Sequence, residues 1–300
     1  MPVGPLRAPL KATLLMLGAM TCFALMSLFI RLAAEEVHPL VVVFFRNFLA
    51  LLLMLPWLAR RGLAGMRTQR LGLYTLRALV NIVGMAAGFT ALTLIPLAEA
   101  TALSFTAPIF ATLLAALLLG EIIRARRIAA IVVGFAGTLV VLHPGIEAIS
   151  VGALLALTNA VSISFTTIMV KKLTASEPPE TIVTYMALLM TPLSLLPALF
   201  VWQTPGPLTL VWLGLLAGAG TVGHLLFTRA FAIAEVSQIQ PLEFIRLPLV
   251  AAIAFAVFGE VPTLWTWLGG AVIFAATAYI THREAQLARR AAAAALQPPP

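Results

Sequence analysis

Residues 10–33, LKATLLMLGAMTCFALMSLFIRLA, form the stretch that decides the fold. Its only charged residues, Lys11 and Arg31, lie near its two ends. A helix of about 20 apolar residues crosses the hydrocarbon core of a bilayer. The stretch is too long for the apolar core of a signal peptide, and more apolar runs follow it. We therefore expect it to be the first of several membrane-spanning helices.

The composition of the whole chain agrees with this expectation. Of the 300 residues, 61% are hydrophobic and 10% are charged, whereas soluble domains carry about 25% charged residues. The mean hydropathy is +1.04. So apolar a chain needs the lipid bilayer as its solvent. The net charge of +8 is spread in short pieces between apolar runs, so we expect no binding to nucleic acid.

Apolar runs of membrane-spanning length recur along the sequence. We predict an all-α integral membrane protein with ten transmembrane helices, at about residues 10–33, 38–59, 71–93, 97–119, 126–143, 151–171, 180–202, 208–231, 236–258 and 263–282. The connections between them are short. The Ala-rich end, residues 285–300, is predicted to be a disordered cytoplasmic tail.

The basic residues predict the orientation of these helices. With the N-terminus inside, fifteen of the 19 lysines and arginines fall on the inner side, only Arg31 falls on the outer side, and Arg46, Arg77 and Arg246 lie within helices. Cytoplasmic loops carry an excess of lysine and arginine. We therefore expect both termini to be cytoplasmic and the protein to lie in a bacterial inner membrane.

The two halves of the chain resemble each other. Leu119-Gly120-Glu121 in the first half recurs as Phe258-Gly259-Glu260 in the second. Each half holds five spans, and an odd number places the second half upside down in the bilayer. The pattern predicts two inverted five-helix repeats, residues 1–145 and 146–284. Inverted repeats are typical of secondary transporters, which bind substrate between the repeats.

Two motifs are similar to those of a known family. Residues 89–108 read FTALTLIPLAEATALSFTAP and lead to Leu119-Gly120-Glu121, while the second span contains Phe44-Phe45-Arg46-Asn47. Over nearly the whole chain, the sequence resembles the EamA type of the drug/metabolite transporter (DMT) superfamily. The resemblance implies ten helices, two inverted units and a central cavity for a small metabolite.

The branch of that family sets the expected substrate. The resemblance points first to amino-acid export by alternating access. The alternatives are carriers of S-adenosylmethionine, riboflavin or a nucleotide-linked compound. In the second half, Glu243 and Arg246 stand where the family is usually apolar.

Polar residues deep in the second and third spans are the first candidates for a binding site. Charged side chains inside a membrane are costly and face protein or water. Arg46 and Asn47 are candidate contacts for a substrate carboxylate, against a structural ion pair or a snorkelling arginine. Arg77 and Asn81 are four residues apart and share a helix face. We expect Arg77 to act in a cytoplasmic gate and Asn81 to line the cavity.

Further candidates lie in the second half. Glu243 and Arg246 are three residues apart, and they form either a self-satisfied pair or a site for a zwitterionic substrate. Glu243 and His224 are the candidate proton sites. Asn159 in the sixth span and Gln240 in the ninth are candidate cavity residues, and Pro241 next to Gln240 is expected to break the ninth helix locally. Glu121 and Glu260 are interpreted as loop anchors.

Other classes of protein fit less well. The chain has no nucleotide-binding, metalloprotease or serine-hydrolase motif, so we expect no enzyme, no cofactor and no metal site. An intramembrane enzyme would need clustered acids or histidines, and a channel would need polar rings or a filter motif. Because two repeats can enclose a complete pathway, we expect a monomer with a small-molecule substrate as its partner besides lipid.

Overall fold

The computed structural model describes residues 7–62, 66–107, 109–111, 114, 125–142, 150–234 and 240–295, and within these ranges every regular element is helical. The elements are α1 (Arg7–Ala33), α2 (Pro39–Arg61), α3 (Leu71–Leu94), α4 (Leu97–Ser104), α5 (Ala125–Leu142), α6 (Val151–Leu173), α7 (Pro179–Phe200), α8 (Pro207–Ile233), a 3-10 helix (Gln240–Ile245), α9 (Arg246–Phe258) and α10 (Leu264–Ala295).

Six of these helices are long and apolar enough to cross a membrane, namely α1, α2, α3, α6, α7 and α8. Shorter apolar segments lie at Leu97–Ala111, Ile128–Leu142 and Leu264–Ala276. The expectation of an all-helical, multi-pass membrane protein is therefore confirmed. The number of ten spans stays a prediction.

Burial in this bundle is reversed relative to a soluble protein. Large apolar side chains such as Leu14, Val83 and Phe200 are exposed, whereas Arg46 and Asn47 are among the most buried residues. Lipid tails are as apolar as leucine, so an outward-facing leucine loses nothing in a membrane. Polar side chains must find partners inside the bundle.

The helix ends follow local sequence signals. Proline begins α2, α7 and α8, at the position where its missing N–H costs nothing. At the N-terminus of α2, His38 Nδ1 accepts the N–H of Leu40 at 3.2 Å. Gly259 ends α9 with φ 67°, in the left-handed region that suits glycine.

Antiparallel helix pairs form the bundle. Gly18 of α1 faces Leu226 of α8, while Gly220 of α8 faces Met26 of α1. In the same way α3 lies against α6, and Gly137 of α5 approaches the backbone of α10. Small residues let membrane helices approach this closely, because the driving force is van der Waals packing.

The helix pairs of the bundle are related by a correspondence between the two halves, in which helices α1 to α5 match α6 to α10 in order. Helix α1 packs on α8 as α6 packs on α3, and α1 packs on α9 as α6 packs on α4. The pairs α2 with α7, α4 with α9 and α5 with α10 map onto themselves. The two halves therefore contribute equivalent contacts to the bundle.

One expectation about a helix boundary was wrong and another was confirmed. The predicted fourth span does not run unbroken from 97, because α4 ends at Ser104 and a turn follows at Phe105 and Thr106. The expected local break of the ninth helix at Pro241 is confirmed, because a 3-10 helix from Gln240 to Ile245 precedes α9 and proline lacks an N–H. The tail is helical as far as Ala295, since alanine has the highest helix propensity. Residues 296–300 lie outside the described residues.

One glycine pair does not mediate helix contact. Gly214 and Gly218 have the spacing of a membrane dimerisation motif, yet a Cβ at either position would meet no atom within 4 Å. The close approach on α8 occurs instead at Gly220 and Gly223, which face α1. In this bundle the spacing alone did not identify the contact.

We predict that Gly88→Ala destabilises the protein. The added Cβ would lie 2.7 Å from Asn159 Cγ, and overpacking of this kind costs about 1–3 kcal/mol. Thermal unfolding in detergent should show a melting temperature lower by at least about 2–4 °C. Gly214→Ala is the matched control and should not lower it. Equal melting temperatures for the two variants would contradict the α3–α6 contact.

Candidate functional site

Arg46 is the centre of a buried polar group between helices. Its side chain is 1% exposed, and its Nη1 donates to Asn47 Oδ1 at 2.9 Å. Its Nε and Nη2 have no hydrogen-bond partner, and the guanidinium faces Gly220 of α8. The snorkelling and ion-pair alternatives for Arg46 are thus wrong, because the charge lies inside the bundle and no carboxylate of the described residues pairs with it.

Asn47 links this group to α3. Its Nδ2 donates to the Val43 carbonyl at 2.8 Å and lies 3.6 Å from Met85 Sδ. Arg77 and Asn81 precede Met85 on α3 by eight and four residues. This spacing places all three on the same face of the helix. The structure therefore brings Arg46, Asn47, Arg77 and Asn81 into one continuous set.

Arg77 and Asn81 both reach α7. Arg77 Nη1 lies 3.5 Å from the Ile182 carbonyl and Nη2 lies 3.3 Å from Met186 Sδ. Asn81 Nδ2 lies 3.0 Å from Met190 Sδ. Arg77 is 5% exposed and its Nε has no partner. Arg77 and Asn81 therefore present donors to the α3–α7 interface.

His224 lies on α8, one turn after Gly220. Its ring meets Phe23 of α1 edge to face, with centroids 5.0 Å apart. The neighbouring Thr221 is buried and its hydroxyl has no partner. Because Arg46 also faces this turn of α8, His224 belongs to the same region as the Arg46 group.

Arg246 and Glu243 lie in a second region, where α4, α9 and α10 meet. Arg246 Nη2 donates to Ser104 Oγ, and its Cζ lies 5.7 Å above the Phe105 ring. Among the described side chains, Arg246 forms no ion pair with Glu243, so the expectation of a self-satisfied pair was wrong. The guanidinium of Arg246 instead contacts Ser104 and the Phe105 ring.

Phenylalanine rings complete this second region. Phe244 contacts Phe105 with centroids 5.4 Å apart and Phe274 at 4.4 Å. Phe105 and Phe244 occupy corresponding positions of the two halves. The number of residues between them equals the number between Gly120 and Gly259 of the repeated motif. The second region thus lies where equivalent helices of the two halves meet.

The remaining predicted residues are elsewhere. Asn159 of α6 packs against Gly88 on another part of α3. The backbone of Gln240 begins the 3-10 helix, and its side chain lies outside the described residues, as does Glu121. In the described part of the chain, no three histidine, cysteine or glutamate side chains are close enough to hold a metal ion.

Comparison with known proteins decides the family. The EamA-like transporter family matches residues 10–143 and again residues 150–282. The chain belongs to the EamA-like transporter family. The resemblance noted from residues 89–108 and from Phe44-Phe45-Arg46-Asn47 is thereby confirmed.

Several relatives of this EamA-like transporter carry functional names. A "Riboflavin transporter" of Vibrio cholerae is 35% identical over 289 residues, covering 94% of this chain and 96% of the relative. A second "Riboflavin transporter", from Rhizobium johnstonii, is 35% identical over 253 residues and covers 83% of each chain. An "S-adenosylmethionine uptake transporter" of Rickettsia prowazekii is 30% identical over 249 residues, covering 83% of this chain and 85% of the relative.

A crystal structure shares the fold of this EamA-like transporter. It is 21% identical, covers 93% of this chain and 98% of its own, and superimposes with a TM-score of 0.62. At this identity the likeness concerns the fold alone.

The ends of the bundle hold ties that sequence analysis did not find. Arg31, at the end of α1, forms an ion pair with Glu260 and lies 5.1 Å from the Phe258 ring. Glu260 Oε2 also accepts the N–H of Leu97 at 3.0 Å. Glu260 therefore anchors three chain segments at one end of the EamA-like bundle.

The opposite end has its own set of ties. Arg229 of α8 forms an ion pair with Glu180 of α7. Lys171 Nζ donates to the Phe231 carbonyl at 2.9 Å. These contacts join the C-terminal end of α8 to α6 and α7, at the side that the basic residues assign to the cytoplasm.

Sequence analysis also missed the methionines and Ser104. Met186 and Met190 are four residues apart and share a helix face, which was the available signal. Ser104 has no comparable signal, because its contact with Arg246 joins residues far apart in sequence. Only the packing of α4 on α9 brings the two together.

We predict that Arg46→Met separates stability from transport. The change removes two buried nitrogen donors without partners, Nε and Nη2, each of which costs about 1–3 kcal/mol, and it loses one hydrogen bond to Asn47. The melting temperature should stay the same or rise by about 2–4 °C per kcal/mol gained. Substrate uptake into proteoliposomes should fall at least about tenfold, the effect of about 1.4 kcal/mol.

Exposed Arg67 provides the control for this variant, because Arg67→Met should change neither property. A lower melting temperature with normal uptake for Arg46→Met would show that Arg46 serves the fold instead of the substrate.

Proposed function

We propose that the protein is a secondary carrier that moves riboflavin, or a closely similar uncharged heteroaromatic metabolite, across a bacterial inner membrane. The observation that carries the proposal is the 35% identity with a named riboflavin transporter along almost the full length of both chains. The alternative substrate is S-adenosylmethionine, for which the Rickettsia prowazekii relative is named.

Two inverted five-helix repeats are the proposed architecture. The family matches the chain twice, once in each half. If each helix is replaced by the one five places later in the chain, the main helix pairs stay the same. The paired helices run antiparallel. Both termini would then be cytoplasmic, in agreement with the distribution of lysine and arginine. A single chain would contain the whole pathway, so a monomer is sufficient.

Alternating access is the proposed mechanism. The Arg31–Glu260 ion pair ties the end of α1 to the segment between α9 and α10, and these belong to different halves. The Arg229–Glu180 pair lies at the opposite end, but both of its residues belong to the second half, so it does not join the halves. If the halves rock around a midplane site, the Arg31–Glu260 tie breaks when its end of the pathway opens. The ion pairs are partly exposed, so water can replace them at low cost.

The charges of the buried site favour riboflavin over S-adenosylmethionine. The Arg46 group carries two guanidinium ions, and Arg46 has two nitrogen atoms, Nε and Nη2, without partners. The isoalloxazine ring of riboflavin is uncharged and presents carbonyl and ring-nitrogen acceptors. S-adenosylmethionine carries a sulfonium, an ammonium ion and a carboxylate; the guanidinium ions attract the carboxylate and repel the two cations, so its net charge of +1 is disfavoured. A site rich in donors and positive charge suits the flavin.

Amino-acid export, the first expectation from the sequence, has weaker support. The named relatives that match along most of the chain carry riboflavin or S-adenosylmethionine in their names. Riboflavin has no carboxylate for Arg46 to bind. Its carbonyl and ring-nitrogen acceptors would bind Arg46 instead. Amino acids are therefore treated as competitors to be tested.

Proteoliposomes that contain the purified protein should take up labelled riboflavin in a saturable manner. Excess unlabelled riboflavin should abolish the uptake, because both compete for one site, while neutral amino acids should leave it unchanged. Vesicles with the Arg46→Met variant provide the control. If amino acids compete and riboflavin does not, the amino-acid branch is correct and the flavin proposal fails. Counterflow from preloaded vesicles distinguishes a carrier from a channel.

Proton coupling through Glu243 is a separate part of the proposal. Glu243 lies in the 3-10 helix beside Arg246, at the meeting of α4, α9 and α10. A carboxylate inside a membrane protein is a candidate proton carrier. His224 of the Arg46 region is the second candidate.

Glu243→Gln should remove the stimulation of uptake by an inward proton gradient and leave riboflavin binding intact, because glutamine keeps the shape and cannot ionise. Uptake would be measured with and without the gradient. Glu35, exposed between α1 and α2, gives the control Glu35→Gln, which should respond like the wild type. Full stimulation in Glu243→Gln, together with its loss in His224→Gln, would assign the proton to His224.

A further inference from the structure

Three side-chain donors from α2 and α3 contact methionine sulfur; Asn47 and Arg77 are buried and Asn81 is half-buried. Asn47 Nδ2 lies 3.6 Å from Met85 Sδ, Asn81 Nδ2 lies 3.0 Å from Met190 Sδ, and Arg77 Nη2 lies 3.3 Å from Met186 Sδ. The α3 members Arg77, Asn81 and Met85 are spaced by one helical turn, as are Met186 and Met190 on α7. We call the three N–H to sulfur contacts the thioether ladder.

Sulfur is a poor partner for such donors. A thioether is only a weak hydrogen-bond acceptor, so a buried amide or guanidinium N–H gains little from it. A fully unsatisfied buried donor costs about 1–3 kcal/mol. The ladder therefore leaves Asn81 Nδ2 and Arg77 Nη2 with only a weak acceptor, while Asn47 Nδ2 has the Val43 carbonyl for one N–H and a weak acceptor for the other.

The neighbouring arginine side chains also have nitrogen atoms without strong acceptors. Arg46 Nε and Nη2 and Arg77 Nε have no partner at all, although both side chains are at least nine-tenths buried. A region built only for stability would pair such groups. An under-satisfied donor set inside a carrier is instead expected where a ligand supplies the acceptors.

We propose that the thioether ladder is the recognition surface for the acceptor edge of the substrate, with Met85, Met186 and Met190 as placeholders that the ligand displaces. This inference rests on the proposed function and extends it to particular residues. From Arg77 to Met85 the ladder extends about 12 Å along α3 at 1.5 Å per residue. It therefore suits an elongated, uncharged heteroaromatic ligand with carbonyl, ring-nitrogen or hydroxyl acceptors along one side.

The flexibility of methionine fits the role of placeholder. Its unbranched side chain has three rotatable bonds and adapts its shape, so the sulfur can swing away while the helix stays in place. The amide and guanidinium donors then transfer from sulfur to the stronger oxygen or nitrogen acceptors of the ligand. Specificity follows, because a ligand without those acceptors would leave the donors unpaired.

Two substitutions at one position test the ladder. Met190→Leu removes the sulfur and keeps the apolar volume. Asn81 Nδ2 then loses no contact with sulfur when it binds the ligand. The Kd for riboflavin, measured by flavin fluorescence with the purified full-length protein, should fall about fivefold, or about 1 kcal/mol at 1.4 kcal/mol per tenfold. Met190→Gln supplies a strong internal acceptor, and the Kd should rise about fivefold.

Met186 provides an independent repeat of the test, because Met186→Leu and Met186→Gln should change the Kd in the same opposite directions through Arg77. The control is Met16, which is buried in α1 beside Ala230 and Phe231. Met16→Leu should leave the Kd unchanged. A purely structural role of Met190 would lower the melting temperature of both variants and shift the Kd in one direction only.

The outcomes separate this inference from the proposed function. If riboflavin is bound and transported but the leucine and glutamine variants of Met186 and Met190 bind it equally, the ladder is overturned and the function stands. If riboflavin is not bound, while S-adenosylmethionine binding measured by calorimetry shows opposite shifts in the two variants, the flavin proposal fails and the ladder stands.

Discussion

The burial of Arg46 and Arg77 inside a lipid-facing helical bundle is the constraint on which the rest of the structure depends. Water and lipid headgroups are out of reach of these side chains, so neighbouring helices must surround both guanidinium ions. Gly220 of α8 leaves room for Arg46, and α7 approaches α3 closely enough for Met186 to meet Arg77. The helix positions in this part of the bundle follow from the need to enclose these charges.

The pairing of equivalent helices extends this order to the whole chain. Helices α4 and α9 are both interrupted near the place where Phe105 meets Phe244. Interrupted helices free backbone groups, and membrane proteins tolerate that only where protein or a cavity surrounds them. Arg246 uses this opening to reach Ser104 across the boundary between the halves. The break and the polar contact thus depend on each other.

The candidate site could be predicted in part. Four polar residues could be identified because burying a polar side chain in a membrane costs free energy. These residues are Arg46, Asn47, Arg77 and Asn81, and the structure brings them together. The self-satisfied pair of Glu243 with Arg246 was wrong, because Arg246 contacts Ser104 of α4 instead. Met85, Met186 and Met190 were missed because methionine looks like ordinary core in a sequence, and its role depends on which donor faces the sulfur.

The sequence by itself determined that this is a multi-pass helical membrane protein of the EamA-like family, since hydropathy and the length of apolar runs depend only on local composition. Its motifs also identified most of the polar residues that lie deep in the helices. Only the tertiary structure decided which of these residues meet, that α4 ends at Ser104, and that Gly220 instead of Gly214 faces α1. These features depend on contacts between helices that are distant in sequence, and no local pattern encodes which faces come together.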